Sequence, residues 1–202
     1  MKKLLLLILT ISCVLFSHTV SASDTVSRGE CLTGIMKTIG LTDEYISKLD
    51  GADYLAFADT DPFSYFGCAM ASGIAYGFEL TVDSPSLRTS RSLRNTDFFF
   101  CPERPVTVGE CLAFMTRCLE TDSENDIVSS AKNAAELGLI GDFDSYLTKL
   151  DLPITSDEFH ALLQKMLGLK RCKYYDGNTV GMRADIDNEG AMTYRELLEK
   201  GE

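Results

Sequence analysis

"VSRGECL" at residues 26–32 returns as "VTVGECL" at residues 106–112. Each phrase carries the grammar of a helix start. In the first, the Ser27 hydroxyl is placed to accept the amide hydrogen of Glu30, while the Glu30 carboxylate reaches back to the amide of Ser27. That reciprocal pair is a capping box, and the apolar residues on either side of it, Val26 and Cys31, form a hydrophobic staple. The second phrase supplies Thr107, Glu110, Val106 and Cys111 in the same roles. The glycine inside each first turn, Gly29 and Gly109, is a poor helix former and has no role in either device.

The grammar recurs twice more. "PITSDEF" offers Thr155 and Glu158 inside Ile154 and Phe159, and "AMTYREL" offers Thr193 and Glu196 inside Met192 and Leu197. One such box is a weak signal, but four with their staples indicate internal repetition. Aligning the first three on the box glutamate superposes Ile35, Met115 and Leu163, then Ile39, Leu119 and Leu167, on the stripe begun by the staple residue. This spacing predicts helices with one buried face. Lys37, Arg117 and Lys165 also coincide, late in each helix, where a cation suits the dipole. Between the boxes, residues 57–79 read as an F-x-D opening, a short helix around residues 65–71 and a "GIAYG" turn. Residues 126–142 repeat this as a helix ending in "GLIG". The expected fold class is all-α, built from tandem helix–turn–helix units packed as a small pseudo-symmetric bundle.

This order resembles the S-layer homology domain. The matching residues are Phe57-Ala58-Asp59, Gly73-Ile74-Ala75-Tyr76-Gly77, Phe100-Cys101-Pro102 and the Val106–Glu110 box. The resemblance implies non-covalent anchoring to a secondary cell-wall polymer or glycan of a Gram-positive-type surface, in grooves between units. It places ligand-binding positions at Arg28, Glu30, Asp59, Gly73, Gly77, Glu110 and Glu158, with Arg28 and Glu30 at one groove. The family's box arginine contacts an anionic ligand, and a guanidinium beside free helix N-terminal amides suits that task. Only Arg28 retains it: the equivalent residues are Val108, Ser156 and Tyr194. The helix grammar survives while the cation is mostly lost.

The remaining sequence sets the context. Lys2 and Lys3 precede an uncharged apolar run at residues 4–16 and the small residues of "VSA" at 20–22, which reads as a secretory signal peptide over residues 1–22. The run is too short to span a bilayer. A lipoprotein reading, acylated at Cys13, ranks second because Thr10 stands where a small aliphatic residue belongs. No later segment is apolar enough to cross a membrane. Cleavage leaves 17 of the 19 basic residues against 30 acidic ones, a net charge near −13. That balance argues against nucleic acid as a partner. The expected units are residues 23–120 (a half unit, then a full unit with an Arg/Ser-rich insertion at 84–95), residues 121–168, and a tail at 169–202 with a closing half unit.

Three further features offer chemistry. Arg88, Arg91 and Arg94 in the insertion could contact an anion, or pair with carboxylates on a solvated loop. Asp185, Asp187, Glu189 and Glu196 fit the spacing of a calcium loop, although Glu196 already serves a box. Cys31, Cys111 and Cys118 replace core hydrophobes and read as buried free thiols; Cys68, Cys101 and Cys172 could form disulfides. His160 has no catalytic constellation around it, so no enzyme is expected and no cofactor is required. The expected function is an exported, secreted or wall-associated binding module for wall polymer or glycan. The alternative is a scaffold that binds another surface protein, or itself, through the insertion.

Overall fold

The computed structural model describes residues 24–47, 57–61, 64–79, 98–119, 126–175, 180–184 and 191–200. The chain is mainly helical there, with eight helices and two small antiparallel strand pairs. The helices are α1 (Arg28–Thr38), α2 (Asp43–Ser47), α3 (Tyr65–Ala71), α4 (Val108–Cys118), α5 (Ile127–Glu136), α6 (Phe143–Leu147), α7 (Ser156–Leu167) and α8 (Tyr194–Lys200). The strands are β1 (Phe78–Glu79) with β2 (Phe98–Phe99), and β3 (Arg171–Tyr175) with β4 (Val180–Ala184). The signal segment, the 84–95 insertion with its three arginines, and Asp185, Asp187 and Glu189 lie outside the described residues.

All four capping boxes form. In α1, α4 and α7 the cap hydroxyl accepts the amide of the third helical residue, whose glutamate accepts the cap amide. The fourth does the same, Thr193 N donating to Glu196 at 2.7 Å and Glu196 N to the Thr193 hydroxyl at 3.2 Å. The staples are buried or half-buried throughout, with Cys31, Val106, Cys111 and Ile154 in the core.

The residues before three of these caps bind one another. Val106 N donates to Val26 O at 3.0 Å, Val26 N to Ile154 O at 3.3 Å, and Ile154 N to Val106 O at 3.0 Å, closing a ring. Extended backbone supplies these bonds, because Pro105 and Pro153 hold the incoming chain out of helical geometry. The ring ties the starts of α1, α4 and α7 together, and α1 packs on α3, α4 and α7 around it.

The same arrangement explains the two glycines. The first helical amides of α1 donate to the loop before α4: Arg28 N to Arg104 O and Gly29 N to Pro102 O, both at 2.8 Å. Those of α4 donate to the loop before α7: Val108 N to Leu152 O and Gly109 N to Leu150 O, both at 2.9 Å. The loop backbone therefore lies flat against the second helical residue. A Cβ on Gly29 would sit 3.2 Å from Pro102 O; one on Gly109 would sit 3.1 Å from Leu150 O and collide with Ile127 Cγ2. In α7 the equivalent residue is Asp157, which is exposed and needs no such clearance.

The two Gly-punctuated turns also match. Gly73 and Gly138 take positive φ (69° and 74°), the left-handed conformation that glycine adopts without penalty. Ile74 N then returns to Ala69 O, and Leu139 N to Ala134 O. The late-helix cations close these turns, since Lys165 Nζ donates to Leu139 O at 2.8 Å and Arg117 Nη1 to Ile74 O at 3.4 Å.

The tail departs from the expected plan. Residues 171–184 hold a five-residue strand pair, so no entering helix precedes the calcium-like loop. Glu196 is committed to Thr193. Among the described residues no cluster of three or more His, Cys, Asp or Glu side chains could hold a metal. Cys31, Cys68, Cys101, Cys111 and Cys118 are all free, and burial pushes the Cys31 and Cys118 thiols well above their ordinary value.

Two measurements test this framework. Gly109→Ala should lower stability by about 1–3 kcal/mol in urea unfolding, because the added methyl meets fixed neighbours, although glycine-to-alanine changes ordinarily favour a helix. Asp157→Ala, at the open equivalent, should cost less than about 1 kcal/mol. The box carboxylate of Glu30 is held below its ordinary value by the backbone amide and hydroxyl of Ser27. A carboxylate so depressed stabilises the fold above its unfolded value and loses that contribution as pH falls through the folded one. The urea midpoint should therefore drop as pH falls below the ordinary glutamate value of 4.5. Glu30→Gln should flatten that part of the profile.

Candidate functional site

Arg28 begins α1, and its side chain leaves its own helix to run across the molecule. Nε donates to Phe100 O at 2.9 Å, Nη1 to Glu110 Oε1 at 2.7 Å, and Nη2 to Tyr76 O at 3.2 Å. The rings of Phe100, Phe78 and Phe114 surround the guanidinium, with centres 4.6, 4.8 and 5.1 Å from Cζ. The residue is only 2% exposed. Burial lowers its pKa, an effect that Glu110 partly offsets. One side chain thus joins the GIAYG turn, the Phe100 loop and the next box.

Glu110 is the centre of this network. One carboxylate oxygen closes the box on Thr107 N at 3.1 Å, and the other accepts from both Arg28 and Arg104. Arg104 lies against Phe78, 4.7 Å from its centre. The box glutamate therefore caps a helix and pairs two cations at once. Charge-assisted bonds of this kind are worth more than neutral ones, and the low local dielectric strengthens them further.

A cleft of about 340 Å³ opens beside these groups, lined by Arg28, Tyr76, Phe78, Glu110, Phe114 and Arg117 among others. Gly77 also lines it, and a Cβ there would lie 2.7 Å from Phe98 Cβ, so the glycine permits β1 to pair with β2. Tyr76, Phe78 and Phe98 expose large ring surface at this end of the molecule. Arg117, on the last turn of α4, stacks on Tyr76 with its Cζ 4.7 Å from the ring centre.

A second, smaller cleft of about 80 Å³ is built from corresponding positions of the next unit. Val108 stands where Arg28 does, Glu158 for Glu110, Ala161 for Ala113, Leu162 for Phe114 and Lys165 for Arg117. With valine in place of arginine, Glu158 serves only its own box among the described residues, and buried Val108 lies at the base of the groove. With Val108 where the large cleft has Arg28, the second cleft is smaller and lacks a buried cation, while the helix start stays intact.

The sequence-predicted positions fare unequally. Arg28, Gly77 and Glu110 converge on the large cleft. Glu30 does not join Arg28 there, since its carboxylate stays on Ser27 and Arg28 reaches Glu110 of the following helix instead. The helix N-terminal amides at Arg28 and Gly29 are not open to an anion, because Arg104 O and Pro102 O accept them. Asp59 is a tie between segments, its two oxygens accepting Phe100 N at 2.8 Å and Cys101 N at 2.7 Å. Gly73 shapes its turn, and Glu158 lies in the small cleft. His160 is exposed beside Ser156 and Phe159. Tyr76, Phe78, Arg104, Phe114 and Arg117 were not singled out as site residues. Two signals point toward them: Tyr76 stands inside the GIAYG motif, and Arg117 coincides with Lys37 and Lys165. Among the described residues, no helix is long and apolar enough to cross a membrane. The chain matches no known family pattern, no curated protein and no solved structure.

Arg28→Ala removes one member of a buried pair and three inter-segment bonds. It should destabilise the fold by about 3–5 kcal/mol in urea unfolding, while Arg104→Ala, at a more exposed partner, should cost about 1 kcal/mol or less.

Proposed function

We propose that this chain is an exported, non-catalytic binding module of the bacterial surface, related in plan to S-layer homology domains, and that its large cleft takes an anionic wall polymer or glycan. The observation that carries the reading is the cleft itself. Arg28 and Arg117 line it, and Arg104 joins Arg28 on the single carboxylate of Glu110, on a protein whose overall charge is −11. A guanidinium-rich recess framed by aromatic rings suits acidic sugars or phosphodiesters, because the rings cover apolar sugar faces and the cations meet the charge. An acidic surface elsewhere leaves that recess the favoured landing place for an anion.

The pseudo-symmetric bundle belongs to this proposal as well. The ring of Val26, Val106 and Ile154, the matched loop contacts of α1 and α4, and the two corresponding clefts all support units related by rotation about a common point. In this arrangement the Arg28 groove is functional and the Val108 groove is a vestige that retains the fold alone.

Sedimentation of the protein after signal removal, with purified Gram-positive cell walls, tests the reading. Pelleting with intact walls that disappears after extraction of secondary polymer is the expected result. Pelleting that survives extraction, or none at all, would overturn it.

A further inference from the structure

The arginines at the cleft, Arg28 and Arg117 in its lining and Arg104 beside it on Glu110, are not equivalent, and their differences identify the one that meets the ligand. Arg28 is enclosed by three rings and donates to three acceptors, and only 3% of its side chain is exposed. It shares Glu110 with Arg104, so that carboxylate compensates both. Arg117 shares with Arg104 a buried Nε that lacks an acceptor, but it differs in its pairing. Among the described residues it pairs with no carboxylate, and its contact with Ile74 O is long at 3.4 Å. Burial lowers its pKa, and the described surroundings bring no carboxylate to oppose that.

The second cleft supplies an internal control. Lys165 occupies the place of Arg117 and closes its turn with a bond to Leu139 O of 2.8 Å. A lysine is therefore sufficient for the turn, and closes it with a shorter bond. The guanidinium at 117 brings donors that the turn does not use, in the cleft that retains a cation at its base.

We infer that Arg117 is the anion contact of this protein and that Arg28 is a positioning residue, which shapes the cleft without meeting the ligand's charge. The inference rests on the large cleft being the binding site. The group that Arg117 takes is a single compact oxyanion, either the carboxylate of an acidic sugar or the phosphodiester of a polymer backbone. Stacking one face of the guanidinium on Tyr76 leaves its edge, with Nε and Nη2, for a coplanar pair of oxygens. Nε is buried in this structure, so a ligand reaches it only as the groups over that edge move, and the Tyr76 ring stacked there is half exposed. The same ring then offers its face to the adjoining sugar or glycerol unit.

The test follows the arginine Nε–H resonances of the ¹⁵N-labelled protein during titration with sodium acetate and, separately, dimethyl phosphate. Arg117→Lys identifies the Arg117 signal by its loss, and Arg28→Lys identifies that of Arg28. A saturable shift at Arg117 with either anion, and none at Arg28, is expected; the anion that saturates at lower concentration names the source. No saturable shift at Arg117, or a shift confined to Arg28, would overturn the inference. In wall sedimentation Arg117→Lys should retain the thermal midpoint, since lysine closes the equivalent turn, and weaken binding about tenfold or more through loss of paired charged bonds. Equal binding by wild type and Arg117→Lys would refute the role of Arg117 and leave the wall reading standing. A saturable Arg117 shift in a protein that ignores walls would do the reverse.

Discussion

Three backbone bonds among Val26, Val106 and Ile154 hold the first turns of α1, α4 and α7 at one point. Every buried amide and carbonyl needs a partner, and the first four amides of a helix have none within it. At α1 the requirement is met completely. Glu30 takes the cap amide, Arg104 O and Pro102 O take the next two, and the Ser27 hydroxyl takes the fourth. At α4 the partners are Glu110, Leu152 O, Leu150 O and Thr107 in the same order. Each bond is worth about 1 kcal/mol net, whereas leaving one unmade in the core would cost more. Satisfying them draws each loop onto the helix before it, and the position of the large cleft follows from that approach.

The cleft inherits its chemistry from the same economy of partners. Glu110 is required as a capping residue, and its second oxygen is then available to hold Arg28. Once Arg28 is paired and enclosed by Phe78, Phe100 and Phe114, it serves as the bolt between segments that are distant in the chain. Val108 shows the alternative outcome. A valine there packs against the next box without any charge to satisfy, and the space beside it shrinks. Fold and site are therefore separable at this position, consistent with function residing in particular side chains rather than in architecture.

Much of the local structure was legible in the chain. Capping boxes, staples and positive-φ glycines depend on residues within a few positions of one another, so their spacing suffices to predict them. The helices that follow the first three boxes, and the short helix at 65–71, lie where the periodicity placed them. The strand pair at 171–184 was not anticipated, although the sequence Asp176-Gly177-Asn178 between its strands is a hairpin-type turn signature; the flanking run "RCKYY" is too short for its periodicity to decide between strand and helix. Of the site, Arg28 and Glu110 were visible as motif residues. Tyr76 lay inside the GIAYG motif with no role of its own, and Arg117 matched Lys37 and Lys165 only as a late-helix cation. Arg104 and Phe78 carried no site signal, since nothing local distinguishes a cation or ring at a cleft from one on open surface.

Sequence alone determined where the box helices begin and which of their faces are apolar, since caps and stripes are set over one or two turns. It also determined that one helix start retains an arginine where another has valine. Only the tertiary structure decided why Gly29 and Gly109 are glycines, because the atoms that exclude a side chain, from Pro102 at the first and from Ile127 and Leu150 at the second, come from other segments of the chain. It likewise decided that Arg28 pairs with Glu110 rather than Glu30 and that Arg117 meets no carboxylate among the described residues. Charge pairing is a matter of distance in space, and folding brings together there what the sequence holds far apart.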